Sequence, residues 1–169
     1  GIIWGFIPLY ADTEFSASSS SIGILIMLGI FISGLIHLPM GYLADKINKK
    51  PMVVAGGLLV SYAVLSFRWA VDINDLILAS VIFGLGSGIA MPPLMAMAVF
   101  KGSSANAMGS VMALMTVAHS LGMLSGALLG GMMMDFFQLR WAFPLGAFIM
   151  MSCIGFFMAG SYSQKAITT

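Results

Sequence analysis

The chain alternates between long apolar runs and short polar clusters. Residues 1–10 are apolar, and Asp12, Glu14 and a Ser-rich stretch over residues 16–21 follow. Further apolar runs occupy residues 20–44, 51–68, 75–100, 105–134 and 141–160. Between them lie Asp45-Lys46-Ile47-Asn48-Lys49-Lys50, the segment from Arg68 to Asp75, the turn after Lys101, and the segment from Asp135 to Arg140. Each full run is about 20 residues or slightly longer, enough at about 1.5 Å per residue to cross a ~30 Å hydrocarbon layer. Backbone in lipid must satisfy its own hydrogen bonds, and runs this long without two-residue alternation do so as helices, not barrel strands. The pattern predicts an all-α polytopic transmembrane helix bundle with five full helices and a partial one at residues 1–10. The sequence starts with Gly1, and its first run is about half a span. It is therefore read as a fragment of a longer protein.

Composition narrows the class further. Only 8% of the residues are Asp, Glu, Lys or Arg, and 60% are hydrophobic, whereas a soluble domain carries about 25% charged residues. So few charges cannot coat a soluble globule, which excludes an ordinary cytosolic enzyme and a disordered tail. The formal net charge of +1 offers no basic surface for nucleic acid. A single cysteine, Cys153, excludes an internal disulfide or a thiolate zinc cluster and reads as a small buried hydrophobe. The spans contain no nucleophile–base pair, metal-ligand set or cofactor motif, so no enzymatic role, metal or cofactor is expected.

The cations divide unevenly between the two sides that alternating helices define. One side holds Lys46, Lys49, Lys50, Lys101 and Lys165; the other holds Arg68 and Arg140 with most of the acids. By the positive-inside rule the Lys-rich side is cytoplasmic and the chain ends there, in a cell membrane. Trp69 and Trp141 fall at the opposite interface, where amphipathic rings are at home.

Four groups of residues are candidates for chemistry. The first is the loop Gly41-Tyr42-Leu43-Ala44-Asp45-Lys46-Ile47-Asn48-Lys49-Lys50, in which Gly41 permits close backbone approach and Asp45 is suited to a helix N-terminus. The second is the stripe Gly122, Gly126, Gly130 and Gly131, whose spacing suits helix packing at short range. The third is the run with Gly84, Gly86, Gly88, Pro92 and Pro93, residues that weaken and kink a helix. There Ser80, Gly84, Ser87, Met91 and Met95 share a face by three-to-four spacing and form a candidate cavity lining, with flexible thioethers suited to a permissive apolar pocket. The fourth is the intramembrane pair His37 and His119, polar candidates for proton coupling.

The loop resembles the signature G-x-x-x-D-[RK]-x-G-[RK]-[RK] of the major facilitator superfamily. Gly41, Asp45, Lys46, Lys49 and Lys50 match it, and Asn48 stands at the second glycine, where a left-handed backbone is tolerable for Asn. The glycine stripe is similar to the family's antiporter motif, with Ala127 where that motif has Pro and Ala113 where it has an early Gly. Ser80 occupies the place where the N-terminal half usually has Arg. The resemblance therefore implies the C-terminal six-helix half of a twelve-helix fold. Helix seven is partial at 1–10, and helices eight to twelve lie at 20–44, 51–68, 75–100, 105–134 and 141–160. It further implies alternating-access transport of a small-molecule substrate across the lipid bilayer, in partnership with the missing N-terminal half. Efflux by antiport is the expected direction. Uptake of a nutrient or organic anion by symport, and a helical membrane sensor or scaffold without transport, are the alternatives.

Overall fold

The computed structural model describes the backbone of residues 2–166 and the side chains of residues 5–138 and 140–160; the side chain of Lys165 lies outside the described residues. Six helices follow one another: α1 (Ile2–Phe15), α2 (Ser19–Lys46), α3 (Lys49–Ser66), α4 (Ile73–Ser104), α5 (Met108–Phe136) and α6 (Ala142–Ala166). Short 3₁₀ turns at Phe67–Trp69 and Leu139–Trp141 precede α4 and α6. Five of the helices are long and apolar enough to cross a membrane. No strand occurs among the described residues, and the chain is a polytopic helical bundle.

The helices run further than the apolar runs at several ends because capping groups, not the hydrocarbon boundary, stop a hydrogen-bond ladder. Ser18 caps α2 by accepting from the Ser21 amide at 3.2 Å. Asn48 caps α3, its Oδ1 accepting from the Lys50 amide at 3.2 Å. Before α4, the Asp75 carboxylate accepts from the amides of Val71 (2.9 Å) and Asp72 (3.2 Å). The end of α4 is a Schellman turn: Asn106 has φ 49°, and the amide of Ala107 donates back to the Gly102 carbonyl at 2.9 Å. Lys101 lies in that last turn, where a cation complements the helix dipole.

One expectation changes at this level. Asn48 was expected to supply a left-handed backbone; it has φ −65° and ψ 121°, an extended N-cap conformation. A side chain that can cap the next helix removes the need for a glycine-like turn. Gly84, Gly86, Gly88, Pro92 and Pro93 of the third run all lie within the single helix α4. Tertiary packing supports it. Gly84 and Gly88 face α2, where an added Cβ would stand 2.7 Å from the Gly29 carbonyl and 2.7 Å from Ile36 Cβ, respectively. Gly86 faces the other way, onto α3, 2.7 Å from the Val60 amide by the same measure. α4 is thus held between α2 and α3 by glycines on opposite faces, and α6 packs on the far side of α3.

Away from the Lys-rich turns, one end of the bundle is closed. Tyr10, Phe67 and Phe143 are fully buried there. The rings of Tyr10 and Phe143 are 4.9 Å apart edge-on, and the Tyr10 hydroxyl donates to the Phe67 carbonyl at 3.1 Å. Arg140 grips Glu14 outside this cluster, Nη2 to Oε2 at 2.9 Å, and the Arg68 guanidinium stacks 5.0 Å from the Trp141 ring. These contacts tie α1, the turn after α3 and the start of α6 together.

Candidate functional site

α3, α4, α5 and α6 border an open cleft of about 580 Å³. Its wall is almost wholly apolar, with Val60, Phe83, Met91 and Phe157 among the larger contributors. Its side-chain polar atoms are the hydroxyls of Ser87 and Ser125 and the Cys153 thiol. Ser87 Oγ lies 2.9 Å from Ser33 Oγ on α2 and 3.1 Å from the Gly84 carbonyl. Ser125 Oγ donates to the Leu121 carbonyl at 2.7 Å. Both hydroxyl protons are therefore used inside the protein, and what each oxygen leaves over is acceptor capacity.

The sequence-selected face of α4 divides. Ser87 and Met91 line the cleft. Ser80 and Gly84 are buried, Ser80 beside Gly29 and Phe67. Met95 is 43% exposed and is not part of the cleft wall. A face that spans several turns meets different neighbours at each depth, so three-to-four spacing alone does not keep its members together. The glycine stripe of α5 divides as well. Gly122 and Gly126 line the cleft, and an added Cβ at Gly122 or Gly131 would meet nothing within 4 Å. Gly130 is buried against the Phe6 ring.

The Lys-rich loop forms the tight turn between α2 and α3. Asp45 is exposed and has no partner among the described residues. Lys46 donates to the Tyr42 hydroxyl and sits over the Tyr42 ring, 4.3 Å from its centroid. Gly41 has open space where a Cβ would stand, while Asn48 is engaged as the α3 cap. Lys49 and Lys50 are part-buried at the start of α3. His37 on α2 and His119 on α5 are both exposed, on helices that also display Leu38 at 85% exposure and Leu114 at 69%. Among the described residues neither has a hydrogen bond or ion pair, and no group of three or more metal-ligating side chains occurs.

The α3 and α6 walls of the cleft, and the Glu14–Arg140 pair spanning 126 positions, were not singled out from sequence. α3 and α6 are apolar on every side, so no periodicity marks the residues that turn inward. The nearest signal for the ion pair was the placement of both residues on the same side of the membrane by helix alternation.

A family model described as Major Facilitator Superfamily matches residues 1–166. Among curated proteins, the chain is 36% identical over 96 residues to multidrug resistance protein MdtH of Aeromonas hydrophila subsp. hydrophila, covering 57% of this chain and 24% of that protein. It is 35% identical over 96 residues to multidrug resistance protein MdtH of Aeromonas salmonicida, with the same coverage. The aligned region thus spans about a quarter of the length of these relatives. No solved structure matches the chain.

Proposed function

The chain belongs to the major facilitator superfamily, and we propose on that footing that the protein moves small molecules across a cell membrane by alternating access. In this reading the six helices form one of two bundles that rock about a substrate site near the bilayer midplane. The Lys-rich turns face the cytoplasm. Export by antiport is the favoured direction, supported by similarity to two proteins named for multidrug resistance. The observation that carries the proposal is the family match over nearly the whole chain, on a bundle with five helices long and apolar enough to span a bilayer. Such helices leave large apolar side chains such as Leu38 and Phe156 uncovered, at 85% and 80% exposure, which a lipid solvent tolerates and water does not.

Asp45 is the proposed gate residue. It is exposed at the end of α2, next to a lysine already held by Tyr42, so its carboxylate is free to meet the N-terminus of a helix in a second bundle. Asp45→Asn in the full-length protein should lower the transport rate in proteoliposomes severalfold while membrane insertion stays normal. Unchanged flux kinetics in that variant would remove Asp45 from the gate. Absence of any flux for a panel of lipophilic and anionic solutes with the unaltered protein would remove the transport reading. His37 and His119 are the proposed proton-responsive groups, and replacing both with Gln should flatten the pH dependence of transport if they carry the coupling.

A further inference from the structure

Two short turns with the same Arg-Trp sequence meet at the end of the bundle away from the Lys-rich turns. Phe67-Arg68-Trp69 follows α3 and Leu139-Arg140-Trp141 precedes α6, each as a single 3₁₀ turn. The turns pack on one another, and the Arg68 guanidinium lies over the Trp141 ring, 5.0 Å from its centroid. We propose that Arg68, with Trp69 and Trp141 beside it, is a binding site for the phosphodiester group of a membrane phospholipid.

The two arginines differ in what they hold. Arg140 spends Nε and Nη2 on Glu14 Oε2, at 3.0 and 2.9 Å. Arg68 is part-buried, yet it makes no hydrogen bond or ion pair among the described residues. The acids that follow it in sequence do not neutralise it. Asp75 accepts from the amides of Val71 and Asp72, and Asp72 makes no ion pair among the described residues. Stacking on an indole uses the face of a guanidinium, while its five N–H donors lie in its plane. Those donors are unspent at Arg68. A cation that has given up part of its hydration without gaining an acceptor is costly. Two oxygens of a phosphodiester match its fork.

The tryptophans identify the source of that phosphate. Trp69 and Trp141 are exposed, and such rings settle at the level of the lipid headgroups. Arg68 is thereby held at the depth of the lipid phosphates. Asp12, Glu14, Asp72, Asp75 and Asp135 lie in the turns and helix ends on the same side. Their field lowers the local concentration of a dissolved anion, whereas a lipid is kept at the surface by its acyl chains.

This inference concerns lipid binding and holds whether or not the protein transports. The test uses the full-length protein, stripped of lipid in detergent and titrated with phosphatidylglycerol, with bound lipids counted by native mass spectrometry. Arg68→Gln should weaken one binding step about tenfold. Arg68→Lys keeps the charge but not the fork, and should restore that step only in part. Trp141→Leu removes the stacking platform and should weaken the same step, so the test survives if Arg68→Gln fails to fold. Lys101→Gln changes the net charge equally at the opposite end and should leave the Arg68-dependent step in place. Unchanged lipid binding in Arg68→Gln, or in Trp141→Leu where only that variant folds, overturns the proposal. So does loss of the same step in Lys101→Gln, which would make the effect one of net charge. Displacement of the lipid by inorganic phosphate would make this a site for a free anion and overturn the lipid assignment.

Discussion

Two glycine pairs with the same four-residue spacing do opposite work in this bundle. Gly84 and Gly88 on α4 are buried, and a methyl group on either would run into α2. Gly122 and Gly126 on α5 line a cleft, and Gly122 has no neighbour within reach of a methyl group. Small residues at four-residue spacing permit close helix approach; they do not compel it. The approach happens where a second helix carries its own small residues at matching depth, as Gly29 does for Gly84 and Gly56 does for Gly86. α5 meets no such partner along most of its length, and Gly130 is its buried residue among those described.

The sharpest way to break that contrast is at Gly56. A Cβ there would stand 2.6 Å from the Ala90 amide nitrogen and 2.7 Å from the Gly86 carbonyl, both backbone atoms that side-chain rotation cannot move. Gly56→Ala should therefore destabilise the full-length protein by about 3 kcal/mol, the upper end of overpacking costs, read as a lowered unfolding midpoint in detergent. Gly88→Ala meets Ile36 Cβ at 2.7 Å and the Ser33 carbonyl at 3.0 Å. Ile36 Cβ is fixed to its backbone, so no rotamer change relieves the contact, but the nearest backbone atom is no closer than 3.0 Å; a somewhat smaller loss of about 2 kcal/mol is expected from the same measurement.

At Gly122 the sign should reverse. Alanine there gains helix propensity with no clash, a stabilisation of about 0.5–1 kcal/mol. A measured loss of the size expected at Gly56 would mean that α5 packs closely after all, and the contrast would fail. The smallest effect belongs to the closed end. Glu14 and Arg140 are each about a third exposed, at 34% and 32%, and an ion pair so placed contributes about 0–1 kcal/mol. Glu14→Gln should shift the unfolding midpoint slightly at low salt and not at all at high salt. Closure of that end rests instead on the buried Tyr10, Phe67 and Phe143 rings.

Much of the helix framework was legible in the apolar runs, whereas the residues at which the helices start were found only in the structure. Ser18, Asn48 and Asp75 sit where helices begin, and each acts within a few positions of itself. Asn48 shows the limit even there: its position in a family signature suggested a left-handed turn, while its side chain made it a cap. The candidate site was less legible. Ser87 and Met91 were selected on α4 and do line the cleft, but Ser80 and Gly84 from the same face are packed away beside α2.

What the sequence alone determined was the solvent and the segments: apolar runs long enough to span lipid, separated by short polar clusters. Which residue of each helix looks inward was decided only by the tertiary structure. The physical reason is that lipid tails are as apolar as leucine, so a spanning helix need not be amphipathic and its sequence carries no stripe to mark the buried face. Burial is then assigned by fit between neighbouring helices. The aromatic seal of Tyr10 with Phe143, and the opposed glycines of α2, α3 and α4, exist only once those helices have met.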